Sequence, residues 1–313
     1  MEERLTQERL TQELSRFDVE SYTKGIKVKD IAFEVLGAIA VFFVLTFLFA
    51  VSIDLLIDGW KKIIDPKFYT SFPSRFPEEA GILSAWVGTV YVMAGAIFWS
   101  VILGVPAGIY LEEYGGKGKI AKIIEANISN LAAVPSIVYG LLALGVFVYR
   151  FKFGESILTA GLTLGLLMLP VIVVATRESI RRIPRHIREA AYALGATRWE
   201  TLFHHILPYS AGGILTGVII AASRAIGETA PLITIGALTF IAFLPPEPWE
   251  NFIGTLKSPF TVLPIQMFNW VSRPQEEFHN NAAAAGFVLL VLAILMNSIA
   301  FYLRYKVRRK YAW

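Results

Sequence analysis

Arg224 and Glu228 stand four residues apart inside an otherwise apolar stretch, residues 210–236. Four residues is close to one helical turn, so the two side chains share a face and can pair. An ionisable pair within a run long enough to cross a bilayer is costly, and it marks a functional site by default. The chemistry reads two ways. Arg224, whose planar fork of donors suits tetrahedral oxyanions, attracts an anion, while Glu228 holds it when the path is empty and accepts a hydrogen bond from a protonated substrate. Alternatively the pair is an internal salt bridge that locks the spans, and the readings are compatible if the bridge is one state of a switch. Ser223 and Thr229, which flank the pair, are assigned to the same path. Arg224 lies 14 residues beyond Ser210. At 1.5 Å per residue that is about 21 Å, past the middle of a core about 30 Å thick. Gly213, Gly217, Ala221 and Ala225 recur at every fourth position beside the charged face. Small residues at that spacing let another helix approach closely, so the pair is expected at a helix–helix seam.

Other chemistries find little support. Cysteine is absent, which removes disulfides and thiol catalysis. His186, His204, His205 and His279 show no HxxxH or HExxH spacing, so no metal site is expected. Gly115-Gly116-Lys117-Gly118-Lys119 has neither the spacing nor the Ser/Thr of a phosphate-binding P-loop. No nucleophile–base constellation stands out. The chain is expected to be no enzyme, to hold no cofactor and to bind no nucleic acid.

The elements that must position the pair follow from composition. With 55% hydrophobic and 17% charged residues, the expectation is an all-α polytopic membrane protein. Six spans are expected, at residues 31–57, 84–111, 128–149, 157–176, 210–236 and 282–305. Pro135 and Ser136 interrupt the third and Pro170 the fourth, as a pathway or as a packing kink. No cleavable signal peptide is expected, because the polar residues 1–30 precede an apolar run too long for one. That N-terminal segment repeats ERLTQ at 3–7 and 8–12 and reads as a solvated amphipathic helix or a lipid-surface element.

Arginines at 177, 181, 182, 185, 188 and 198, lysines 117, 119 and 122, and the basic tail 306–313 all fall on one side of six spans. The positive-inside rule then places both termini in the cytoplasm of a plasma (inner) membrane protein. Two long outer loops, residues 58–83 and 238–281, hold prolines and aromatic residues such as Trp249 and Trp270. These aromatics read as interfacial anchors or as a docking surface for an external partner.

Residues 177–209 form the polar segment between spans four and five. Pro184 suits a first helical turn, the helix should run through Leu194, and Gly195 suits a left-handed cap. Thr197 and Glu200 have capping-box spacing for a second helix, with Leu202, Phe203, Ile206 and Leu207 holding the pair against the membrane. A DNA-binding helix–turn–helix is excluded because both ends feed into membrane spans.

Here the sequence resembles a known family. Glu189-Ala190-Ala191, Gly195 and Leu207-Pro208 are similar to the EAA loop of binding-protein-dependent ABC importer permeases, with His205 where an apolar residue is usual. Ser223-Arg224-Ala225-Ile226-Gly227-Glu228-Thr229-Ala230-Pro231-Leu232 resembles the signature of phosphate permeases, closer to the PstA kind than to its PstC partner. Support comes from Val134-Pro135-Ser136-Ile137 with Gly140, Pro106-Ala107-Gly108, Glu112-Glu113-Tyr114 and Leu263-Pro264-Ile265-Gln266. The resemblance covers roughly residues 80–305 and implies the type I, MetI-like permease core. It implies that Glu189, Ala190, Ala191 and Gly195, with Arg198 and Trp199, meet an ATPase subunit. It further implies a second, PstC-like permease, two ATPase copies that bind ATP and Mg, and an external phosphate-binding protein. The rival readings are an ABC permease for another oxyanion or small solute and, further off, a secondary anion transporter.

Overall fold

A computed structural model describes residues 19–116 and 118–311, all helix, turn and loop, with no strand among the described residues. The ERLTQ repeat and most of the expected amphipathic N-terminal helix lie outside them. The chain divides into two units, Met1–Asp54 and Leu55–Trp313. In the first, helix α1 (Val19–Ile63) presents Phe33, Phe42, Phe43 and Phe47 outward. Such a face is stable only in an apolar medium such as lipid.

In the second unit, the last turns of α1 lie against helix α13 (Glu276–Tyr311). A Cβ on Gly59 would stand 2.7 Å from Ala284 Cα, so only glycine admits this approach. The short α2 (Pro66–Thr70) starts at Asp65, whose carboxylate accepts from the Lys67 N–H at 3.0 Å. Helix α3 (Leu83–Ile109) continues into a π turn, Tyr110–Tyr114. Then follow α4 (Lys119–Ala133), α5 (Ser136–Ala143) with a π extension Leu144–Arg150, and α6 (Ile157–Arg181).

The centre of the unit is α6. Against it lies α3, through Gly104 on Ile172 and Gly108 on Thr176. Against its other side lies α9 (Leu207–Ala225), through Gly213 on Ser179 and Gly217 on Ala175. The pairings of α9 with α6 run in opposite order along the two helices, so α6 and α9 are antiparallel. The core between them contains Leu164, Met168, Ile172, Ala221, Ala225 and Ile235.

Among the described residues five helices are long and apolar enough to span a membrane, and a sixth span exists if one bent pair is counted. That pair is α4 and α5, the expected third span, which is not a single rod: it turns by 112° at Val134-Pro135. The residue before a proline is driven out of the helical region, and Val134 sits at ψ 132°. Pro170 behaves differently. It stays buried inside an unbroken α6, as prolines do in membrane helices where the surroundings can re-satisfy the freed backbone group.

The expected fifth span is also corrected. The helical path begins at Arg198 and α9 ends at Ala225. After a gap comes α10 (Ala230–Thr234), with Pro231 in its first turn. A proline here has no N–H to continue the helix and clashes with the carbonyl four residues back, at Gly227.

The loop 238–281 contains α11 (Pro248–Lys257) and α12 (Leu263–Val271). Its inner stretch folds onto α3: Thr89 Oγ1 accepts from the Leu263 N–H at 2.9 Å, and Ser84 donates to Ile241 O at 2.9 Å. Trp270 is fully buried between Phe68 and Phe278 and is a core residue, contrary to its reading as a surface aromatic. Trp249 is 77% exposed.

Candidate functional site

Arg224 is the penultimate residue of α9, and Glu228 lies in the break before α10. The pair survives the helix end because the backbone tightens there: the Glu228 N–H donates to Ala225 O at 3.1 Å. Arg224 Nε stands 3.6 Å from Glu228 Oε1, longer than a hydrogen bond. The Arg224 side chain is 58% exposed and that of Glu228 20%.

Arg224 lines a cavity of about 500 Å³ that follows the α6–α9 seam toward Glu178 and Arg182. Its third wall is the α4–α5 bend, through Leu131, Val134 and Tyr139. Tyr139 closes that bend by donating to Leu131 O at 2.7 Å. Irregular backbone at membrane depth is tolerated where it lines a cavity, and Pro135 places it there. The stripe of small residues keeps the seam narrow on one side: Gly213 and Gly217 meet α6, and Ala221 and Ala225 are buried in the core.

The other residues assigned to the path lie elsewhere. Ser223 Oγ lies 2.7 Å from both Asn297 Oδ1 on α13 and Ile219 O in its own helix, so its hydroxyl is engaged outside the cavity. Thr229 Oγ1 reaches only Gly227 O, at 3.4 Å. Of the four, Arg224 alone is in the cavity wall.

The polar segment builds two helices, α7 (Arg185–Ala193) and α8 (Arg198–Thr201). Leu194 closes α7, and Gly195 follows at φ +86°. The Gly195 N–H donates to Tyr192 O at 2.9 Å and the Ala196 N–H to Ala191 O at 3.0 Å. These two bonds form a Schellman cap, which requires the left-handed residue. Thr197 and Glu200 then form a reciprocal capping box. Glu189, Ala190, Arg198 and Trp199 are exposed, Ala191 is buried, and Leu194 projects at 90% exposure. Trp199 packs on Phe203 with ring centroids 4.2 Å apart.

The expected seat against the membrane is corrected. Leu202 and Ile206 bury against Ile180 and Ile183 at the end of α6, while Phe203 is exposed. A π turn, Leu202–Ile206, makes this possible. Its extra residue per turn leaves His205 exposed and turns Ile206 inward, so a polar residue at 205 costs no core contact.

Sequence reasoning missed a charge network. Glu112 accepts from Arg177 at 3.1 Å and from Arg181 at 3.2 Å, while Glu113 accepts from Arg188 of α7 at 2.6 Å. Two adjacent acids closing a 27-residue apolar helix, opposite an arginine-rich segment, were the available signal.

Apolar helices around a broken helix and a charged cavity, with a capped two-helix loop on one side, define a multi-pass membrane transport component. The chain belongs to the family of binding-protein-dependent transport system inner membrane components, whose model matches residues 104–309. It is 34% identical over 220 residues to the phosphate transport system permease protein PstA of Yersinia pestis, covering 68% of this chain and 70% of that one. It is 29% identical over 255 residues to PstA 1 of Mycobacterium tuberculosis (strain CDC 1551 / Oshkosh), covering 80% and 81%. Among solved structures, a chain of the inward-facing MetNI methionine ABC transporter matches with a TM-score of 0.53 at 17% identity, covering 72% of this chain and 94% of that one. This likeness concerns the fold, the MetI-like ABC importer permease core.

Proposed function

We propose that this chain is one permease subunit of an ATP-driven phosphate importer and forms half of the path for inorganic phosphate. The observation that carries this reading is the state of Arg224. A lock between spans is expected to be short, bidentate and buried, because a buried charge is tolerated only when fully paired. Arg224 is instead more than half exposed, paired at 3.6 Å, and set in the wall of a cavity. Its donors remain free for the oxygens of a tetrahedral anion, and Glu228 is near enough to hold the guanidinium between transport events. The relatives named as phosphate permeases supply the choice of anion.

In this reading the exposed face of α7 and α8, with Leu194, Trp199 and Phe203, seats in a cytoplasmic ATPase subunit present in two copies. ATP and Mg are bound there. A second, PstC-like permease completes the path, an external phosphate-binding protein delivers the anion, and both termini are cytoplasmic. The test is uptake by the complete complex reconstituted in liposomes with ATP inside. Radiolabelled phosphate should accumulate and a hundredfold excess of sulfate should compete poorly; equal uptake of both favours a general oxyanion permease.

A further inference from the structure

The C-terminal end of α6 gathers arginines where the helix dipole favours cations. Arg177 and Arg181 are engaged there by Glu112, Glu125 and Glu178. Arg182, the residue that closes α6, forms no ion pair among the described residues. It lines the cavity that begins at Arg224, and it also lines an adjoining cavity of about 300 Å³ beside Tyr209 and Ser210. Ser179, Arg182 and Gly213 are common to both, so the two spaces meet at these three residues.

The walls around it suit a protonated oxyanion. Ser179 donates to Ala175 O at 2.6 Å and Ser210 to Leu207 O at 3.1 Å. With their protons committed, both hydroxyls present lone pairs that accept from a P–OH group. Glu178, the one acid in the larger cavity wall, is neutralised by Arg181 at 3.1 Å. Gly213 faces this point and Arg224 lies 11 residues further along α9. That is about 16 Å of helix, so the two arginines enter the path at separate levels.

We propose that Arg182 is a second anion-contact point of this path, on the side of the α7–α8 loop, which takes phosphate after it leaves Arg224. This rests on the function proposed above and adds an inner station to it. Two separated weak sites let an ion move on, whereas a single strong one would hold it.

The chain contains no cysteine, so Arg182→Cys introduces its only thiol. The complete complex is treated in detergent with a cationic or an anionic methanethiosulfonate, reconstituted, and assayed for phosphate uptake beside an identically treated wild-type complex. Losing one charge from a charged cleft is expected to lower subsaturating uptake about tenfold. The cationic reagent should restore most of it and the anionic one should not, and inorganic phosphate should slow labelling of the thiol. Arg182→Lys should keep most of the rate. An unchanged rate in Arg182→Cys, or equal recovery with both reagents, overturns this inference alone. Absence of phosphate uptake in the untreated wild-type complex overturns the proposed function as well.

Discussion

Arg188 and Glu113 join α7 to the end of α3: Arg188 Nη2 donates to Glu113 Oε1 at 2.6 Å and Nε to the same oxygen at 3.1 Å. The same guanidinium donates to Ile183 O at 2.8 Å and Ile180 O at 3.2 Å, so it also ties down the end of α6. Both side chains are largely covered, at 17% and 13% exposure. The π turn at Tyr110–Tyr114 allows successive acids to serve different helices, Glu112 reaching α6 and Glu113 reaching α7. Since α3 and α6 are themselves closely packed at Gly104 and Gly108, the Arg188–Glu113 pair ties α7 to both helices.

This pairing predicts that Arg188→Ala uncouples the machine. Hydrogen bonds to a charged group contribute about 1.5–3 kcal/mol each, and the substitution also orphans Glu113. Phosphate uptake should fall by an order of magnitude or more while ATP hydrolysis by the complex persists. A cysteine pair at 113 and 188 should lose uptake as Arg188→Ala does, and a bifunctional thiol reagent long enough to span the former ion pair should restore much of it, because the joint moves as one body. No recovery on cross-linking would show instead that the joint opens in each cycle.

Gly195→Val tests the α7–α8 turn. A Cβ at this position meets no atom within 4 Å, so the penalty arises from the backbone at φ +86° alone. Left-handed backbone costs an ordinary L-residue about 1–2 kcal/mol, and a β-branched one more. The order of residual uptake should be Asn above Ala above Val, at equal protein levels in the membrane by immunoblot. Equal uptake in all three would remove the turn from the coupling account.

Trp270 and Trp249 should separate cleanly. Trp270→Ala removes a ring packed between Phe68 and Phe278, and a loss of about 3–5 kcal/mol is expected for emptying such a site. Trp249→Ala, at an exposed position, should leave thermal unfolding of the purified permease pair unchanged. Its effect, if it touches the external partner, should appear only in stimulation by the binding protein.

These cases show what was legible in the sequence. Local grammar was readable: Gly195, Thr197 and Glu200 dictate cap and turn within a few residues, and the observed bonds follow that order. The apolar runs gave the helices, since lipid imposes length directly. Where a helix breaks was harder, because Pro135 bends the chain by 112° while Pro170 does not interrupt α6. That difference lies in the neighbouring helices and not in the proline. Trp249 and Trp270 look alike in a loop, and only the fold of residues 238–281 onto α3 distinguishes them. Pairings such as Arg188 with Glu113 join residues 75 apart, beyond any periodicity. His205 seemed a departure from an apolar pattern, and a π turn removes the conflict.

The central claim is that Arg224 contacts the anion, and the pair Arg224→Gln with Glu228→Gln tests it most directly. Either charge alone leaves a partner stranded, so single variants confuse binding with the penalty for an unpaired charge. The double variant removes both charges and keeps much of the side-chain volume. The measurement is initial phosphate uptake by the reconstituted complex, alongside its assembly and its ATP hydrolysis. Assembly and hydrolysis should stay near wild type, with uptake reduced at least about tenfold, as expected when a cleft loses its attracting charge. Uptake recovering to near wild type in the double variant would contradict it and leave Arg224 and Glu228 as a bridge between spans.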